Sequence, residues 1–342
     1  MGYNKIIYGA PGVGKSFTVN GEVGNNYRFT TTFHPEYTYY DFVGGYKPVV
    51  NNILEENIYH YYDTASGSVQ SLPYNLTREK MAYKFVNGVF LESYIKAWKE
   101  YFVHGKEVYL IIEELNRGNC AAIFGEIFQL LDRDEYGASD YFINVNRDIA
   151  NVIKNSLGSP YLAEITMILD AKGIEKPDNL YSVLLLPPNL NIIATMNTSD
   201  QSLFPLDSAF KRRWSWKYVP IKYTLYPSRE IIINSHHYNW NLFLESINYV
   251  IYKITESEDK CIGPFFVKSD LINKDEFVEK VLFYIWTECF KDETREILEE
   301  YFPKTRRLIN GVLPDELISF VDFFDETNGD NYIIEFMTNL GL

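Results

Sequence analysis

In the first two thirds of the chain, short apolar runs stop abruptly at polar residues. Lys5-Ile6-Ile7-Tyr8 reads as a strand, and the glycine-rich stretch GAPGVGKS, Gly9 to Ser16, follows it. A helix starts over Phe17 to Val19, and Phe29 to Phe33 reads as a second strand. An aromatic, turn-rich segment covers His34 to Pro48. The polar stretch Thr64 to Leu76 predicts a loop, and Glu79 to Phe102 a helix broken at Gly88. Val108 to Ile112 is a continuous apolar run, the signature of a central parallel strand. Ile123, Phe124, Ile127, Leu130 and Leu131 follow at helical spacing. Tyr141 to Val145 and Tyr181 to Leu186 read as two strands of a hairpin. Helical stretches near Asp148 to Leu157 and Leu162 to Ala171 lie between them. That connection is long for a hairpin, so it reads as an insertion with a job or a partner of its own. Asn191 to Ala194 is the next central strand, and Ala209 to Arg213 closes a short helix.

After Pro220 the strand-like runs largely stop. Trp240, Phe243, Leu244, Ile247 and Ile251 share one helical face. Phe277, Val281, Tyr284 and Ile285 do so again, and Leu317, Phe320, Val321 and Phe324 a third time. The pattern therefore predicts an α/β domain over 1–221, with the hairpin insertion at about 141–186, and an all-helical domain over 222–342.

Composition narrows the functions open to this chain. Its 342 residues fit two domains, and an apolar share of 46% supplies a core. A net charge of −14 argues against a nonspecific nucleic-acid binder, although a local basic patch stays open. Cys120, Cys261 and Cys289 are scattered, as expected for reduced thiols in the cytoplasm. No apolar stretch reaches the roughly 20 residues of a membrane helix, and the N-terminus does not read as a signal peptide. Five histidines without a metal-ligating cluster give no zinc site.

The chemistry gathers where the apolar runs end. GAPGVGKS fits G-x-x-x-x-G-K-[ST], with a strand before it and a helix after it. Backbone N–H groups of Gly9, Ala10, Gly12, Val13, Gly14, Lys15, Ser16 and Phe17, in a loop that also holds Pro11, would wrap phosphates. Proline itself contributes no donor. Lys15 would reach the β- and γ-phosphates, and the Ser16 hydroxyl would hold Mg²⁺. The bland alternative is a chance glycine-rich turn. Val108 to Ile112 ends in Glu113 and Glu114. Glu113 suits a Mg²⁺ ligand, and Glu114 suits a carboxylate that activates the attacking water. A charged turn after a core strand is the competing reading. The next strand ends in Asn197 and further polar residues, which read either as a turn or as a polar reader at the carboxyl edge of a sheet, where open α/β folds bind ligands. Arg212 and Arg213 end a short helix. One of them could reach a neighbouring subunit's phosphates, and the other could complement the helix C-terminus.

The order of phosphate loop, acidic strand and strand ending in Asn197 resembles a ring-forming nucleotide motor of the AAA+ type. Five segments narrow the resemblance to the McrB family: GAPGVGKS; TFHPEYTYYDFVGGYKP at Thr32 to Pro48; IIEELNRGNCAAIFGEIFQLLD at Ile111 to Asp132; ATMNTSDQSLFPLDSAFKRRW at Ala194 to Trp214; and IGPFF at Ile262 to Phe266. The resemblance implies a P-loop core with a parallel sheet and a C-terminal helical lid. It also implies binding of GTP in preference to ATP with Mg²⁺, a hexameric ring, and stimulation by an McrC-like nuclease subunit. Translocation of double-stranded DNA would then feed cleavage by that partner. It assigns Asn197 as the sensor, Asp200 as the acid that organises the site, and Arg212 or Arg213 as the trans-acting arginine. Three departures stand out, the first being the insertion at about 147–172, longer than expected and able to contact a partner or the ring pore. Glu113 replaces the usual Asp, and the phosphate loop starts at residue 9, so a DNA-reading domain is absent, truncated or on another chain. Two other readings remain: a nucleotide-gated assembly scaffold with weak hydrolysis, motivated by Glu113, and a monomeric P-loop kinase.

Overall fold

The computed structural model describes residues 1–103, 105–198, 204–224, 229–291, 293–306 and 316–342. Its first nine strands are β1 (Asn4–Tyr8), β2 (Tyr27–Thr32), β3 (Gly44–Asp63), β4 (Ser68–Asn87), β5 (Val108–Glu113), β6 (Ile143–Asn144), β7 (Val183–Leu184), β8 (Leu190–Met196) and β9 (Ser215–Tyr218). Five of them form a sheet in the order β2-β5-β8-β1-β9, and β1 runs parallel to both of its neighbours. All seven residues of β8 are buried, as are the first five of β5. A strand covered on both faces must be apolar throughout, which is why these two read as unbroken runs.

Two compact units share the chain. One comprises Met1–Gly2, Tyr27–Leu110 and Asn119–Asn191; the other comprises Tyr3–Asn26, Ile111–Gly118 and Ile192–Leu342. The first is built around aromatic residues. Phe33 lies edge-on to Phe42 and Phe124, and Trp98 edge-on to Tyr161. The hairpin expected at 141–186 is present as β6 paired antiparallel with β7, through Ile143↔Leu184 and Asn144↔Val183. Between them runs the helix Arg147–Ala171, broken at Gly158, which has φ 60° two residues before Pro160. The insertion is tied to the helix Val89–Val103 by a hydrogen bond of 2.7 Å between the Tyr94 and Tyr161 hydroxyls; Tyr161 also donates to the Val183 carbonyl.

The loop expected at Thr64 to Leu76 and the helix expected from Glu79 are corrected by the structure. β3 and β4 pair residue for residue from Gly44↔Asn87 to Asp63↔Ser68. Most of the hairpin is exposed, so no single buried face forces an apolar alternation on its sequence. Helix-favouring residues such as Glu79, Lys80 and Met81 are held instead by cross-strand pairing. The helix begins only after Gly88. The Gly88 N–H donates to the Val43 carbonyl at 2.9 Å, and a Cβ there would lie 2.3 Å from the Phe42 carbonyl oxygen. Gly88→Ala is expected to lower unfolding stability by about 1–3 kcal/mol through this overlap. Gly21→Ala, where a Cβ meets nothing within 4 Å inside the helix Lys15–Val23, is the matched control and should not lower it. Urea denaturation of both variants checks the pair.

The second unit carries a large core after residue 230. Trp240, Phe243, Leu244, Ile247 and Ile251 of the helix Trp240–Thr255 are buried on one face, as their spacing predicts. The expectation of an all-helical half is corrected by a small sheet. β10 (Glu230–Ile233), β11 (His236–Asn239) and β12 (Leu271–Ile272) align in the order β11-β10-β12. Three consecutive isoleucines favour a strand, and Ile231 and Ile233 are fully buried. Among the described residues no helix is long and apolar enough to cross a membrane.

Candidate functional site

The site lies wholly within the second unit and starts at the end of β1. Gly12 and Gly14 adopt φ of 77° and 91°, the left-handed region that glycine enters without a Cβ clash. Gly14 caps the helix Lys15–Val23 with no side-chain hydrogen bond, leaving the first backbone N–H groups for an anion. The loop is held from behind. Gly263 N–H donates to the Pro11 carbonyl and Phe265 N–H to the Gly12 carbonyl, both at 2.8 Å. The approach is so close that a Cβ on Gly12 would stand 2.5 Å from the Phe266 nitrogen, and one on Gly263 2.4 Å from the Gly12 carbonyl carbon. Ala10 and Val13 of the loop belong to the same buried cluster as Trp240 and Phe243.

A cavity of about 500 Å³ opens over this loop. Its wall includes Pro11 to Phe17, Asn197, Phe265 and Lys268. The volume suits a nucleotide-sized ligand. Lys15 Nζ donates to the Gly9 carbonyl at 2.8 Å, to the Ala10 carbonyl at 3.1 Å and to Asn197 Oδ1 at 2.6 Å. Ser16 and Phe17 are exposed in the wall.

β5 ends at half-buried Glu113, and the backbone turns sharply at Glu114, a non-glycine residue at φ 53°. Such a conformation costs energy and is held only where the surroundings impose it. It brings the Glu114 carboxylate to Asn197: Asn197 Nδ2 donates to its two oxygens at 3.3 and 3.5 Å. Arg117 Nε donates to Glu114 Oε2 at 3.1 Å. Asn116 Nδ2 donates to the Asn197 carbonyl at 2.7 Å, so this buried asparagine fixes the end of β8. Asn116 Oδ1 and Thr198 Oγ1 are buried without a hydrogen-bond partner among the described residues.

Asn197 thus connects the amine of the phosphate loop to the carboxylate after β5. The strand order explains this, since β8 lies between β5 and β1. Of the other residues singled out by sequence, Asp200 lies outside the described residues. The two arginines differ. Arg213 donates through a guanidinium nitrogen to the Ala209 carbonyl at 2.9 Å, folding back over its own helix end. Arg212 is exposed. Phe265 and Lys268 in the cavity wall were not picked out as site residues by sequence, although IGPFF marks the segment. No apolar period or charge pattern connects Lys268 to a loop some 250 residues earlier.

Chemically, the arrangement offers backbone donors and an ammonium at the glycine-rich loop, with an amide that bridges that ammonium to the Glu114 carboxylate. Residues 4–214 match the AAA domain of the dynein-related subfamily. The chain is 40% identical over 308 residues to the Type II restriction enzyme BsuMI component YdiS of Bacillus subtilis, covering 84% of this chain and 79% of that one. It is 24% identical over 220 residues to the Type IV methyl-directed restriction enzyme EcoKMcrB subunit of Escherichia coli, covering 62% of this chain and 34% of that one. With a phosphate loop, an acidic strand end and a polar strand end joined in one network, and with these relatives, the chain belongs to the AAA domain family, as an McrB-like AAA+ protein.

Proposed function

We infer that the chain is a GTP-hydrolysing motor subunit of a cytoplasmic restriction complex. It would assemble as a hexameric ring around its nucleotides and drive translocation of double-stranded DNA for an McrC-like nuclease partner. The domain division at residue 221/222, into motor core and lid, is part of this reading. Support comes above all from the joined network of Lys15, Asn197 and Glu114, with its distances of 2.6 and 3.3 Å at the phosphate loop. The relatives add the restriction context.

In this reading Gly9, Ala10, Pro11, Gly12, Val13, Gly14, Lys15, Ser16 and Phe17 hold the nucleotide. Ser16 and Glu113 would hold Mg²⁺, which neutralises developing phosphate charge when bound. The residues present fit that ion. Among the described residues no three His, Cys, Asp or Glu side chains cluster, and Mg²⁺ commonly takes one or two protein oxygens, completing its shell with phosphate and water. Glu114 accepts a proton from water as its oxygen attacks the γ-phosphorus, and the bond to the β-phosphate oxygen breaks to leave the nucleoside diphosphate. Asn197 orients that water, Asp200 organises the site, and Arg212, with Arg213 beside it, completes the neighbour's site.

Lys15→Ala removes an ammonium from the cavity. The expected result is nucleotide binding about 10- to 100-fold weaker, the value of a charged hydrogen bond or two, measured with a fluorescent GTP analogue. Binding unchanged in this variant would take the triphosphate away from the 9–16 loop. The function itself is tested by phosphate release from GTP and from ATP, with and without the nuclease partner. The scaffold reading has one residue in its favour, Glu113 at the position where Asp is usual. Ring assembly on nucleotide without turnover under any condition would select it.

A further inference from the structure

A second cavity, of about 380 Å³, shares Val13, Gly14 and Phe17 with the phosphate cavity. Its remaining wall includes Thr18, Tyr218, Pro264 and two lysines, Lys217 and Lys222. Among the described residues no carboxylate lines it. The two lysines are not equivalent. Lys217 Nζ donates to Glu22 Oε1 at 2.6 Å, and Glu22 also accepts from Lys5 at 2.7 Å. Burial pushes the Glu22 carboxyl up, but the bonds from Lys217 and Lys5 outweigh it and hold the carboxyl below its usual range. Lys217 is therefore committed to a carboxylate. Lys222 is exposed in the wall and has no ion-pair partner among the described residues.

The position of this cavity is informative. It continues from the phosphate loop past Phe17 and Thr18, at the start of the helix Lys15–Val23. With the triphosphate along 9–16, the ribose and base have this adjoining space to enter. Phe17 and Pro264 supply apolar surface for a flat ring, and the ammonium of Lys222 is the uncommitted donor. Guanine presents two acceptors side by side, O6 and N7. Adenine presents N7 next to an N6 amine, which is itself a donor and meets an ammonium unfavourably.

We propose that this second cavity takes the nucleotide base and that Lys222 is a specificity-determining residue, donating to O6 and N7 of a 6-oxopurine. The inference rests on the GTP-motor reading above and gives its base preference a physical origin in this chain. Preference for guanine is then a property of one side chain outside the phosphate loop, and any purine with O6 and N7 satisfies it, whether or not it carries the 2-amine.

The test is equilibrium binding of GDP, ADP and IDP to the full chain by calorimetry, for wild type and for Lys222→Ala and Lys222→Arg. Wild type is expected to bind GDP and IDP similarly and ADP more weakly. Lys222→Ala should weaken GDP and IDP by roughly 5- to 150-fold, the range for a bidentate base contact, and leave ADP unchanged or tighter. Lys222→Arg should keep the preference. If wild type binds GDP and ADP equally, the guanine preference in the function reading fails, and this inference with it. If wild type prefers GDP but Lys222→Ala keeps the ratio, the function reading stands and Lys222 is the wrong residue. Equal weakening of GDP and ADP would make Lys222 a general attractor of phosphate. IDP behaving like ADP would move recognition to the 2-amine; each of these last two results overturns the proposal.

Discussion

Glu114→Gln is expected to leave nucleotide binding within about twofold of wild type and to cut turnover by about 10²- to 10⁴-fold, the usual worth of a positioned base. The substitution separates geometry from proton transfer. A glutamine fits the same turn at φ 53° as well as a glutamate does, and its side-chain oxygen still accepts from Asn197 Nδ2. What it cannot do is take the proton of the attacking water. It also loses the negative charge facing Arg117, whose ion pair is about half exposed on the arginine side and therefore worth little to stability. A fluorescent GTP analogue measures binding, and phosphate release under saturating nucleotide measures turnover. Turnover near the wild-type value would show that the water is activated elsewhere and that the carboxylate serves only to hold Asn197. Loss of binding together with turnover would point instead to a collapsed strand end.

The residues that meet in this site were legible because each sits at the end of a buried strand. β5 and β8 are covered on both faces, so a polar residue at their carboxyl ends breaks an apolar run and stands out. Glu113, Glu114 and Asn197 were found that way, and the phosphate loop by its spacing. β9 was missed for the opposite reason. It lies at the edge of the sheet and all four of its residues are exposed, so the polar-aromatic alternation of Ser215 to Tyr218 is only four residues long and marks no buried face. The β3–β4 hairpin hid in the same way: a pair of strands solvated on both faces carries no period for a core to impose. Asn116 lies inside the segment Ile111 to Asp132, where sequence alone assigns it no role. Its role is a contact of 2.7 Å to the Asn197 carbonyl, 81 residues away. Lys222 and Lys268 are cavity residues only through the fold, since a lone lysine in a turn-rich segment is indistinguishable from any solvated one.

Arg212→Ala is expected to lower turnover by about 10³- to 10⁵-fold in the assembled protein, the range known for an arginine that completes a phosphoryl-transfer site from outside. Arg213→Ala is expected to do far less to turnover. Arg213 already spends a donor on the Ala209 carbonyl at its own helix end, the place where a cation contributes about 0.3–1 kcal/mol. Arg212, one residue earlier, is exposed and has no ion-pair partner among the described residues. The short helix Ser208–Lys211 is pinned on both sides, which fixes where Arg212 emerges. Asp207 caps it through Phe210 N–H at 2.7 Å, and Asn4 Nδ2 donates to the Arg213 carbonyl at 3.1 Å. Whether the arginine acts on its own chain's nucleotide or on a neighbour's is decided by mixing. Lys15→Ala chains bind nucleotide poorly but keep Arg212, and Arg212→Ala chains keep an intact phosphate loop. Each alone should be nearly inactive. Mixed before assembly, they place intact loops beside intact arginines in some pairs of neighbours, and turnover should return to a measurable fraction of wild type. If the mixture stays as inactive as its parts while both variants still assemble, the arginine works within its own chain, and no subunit completes the site of another.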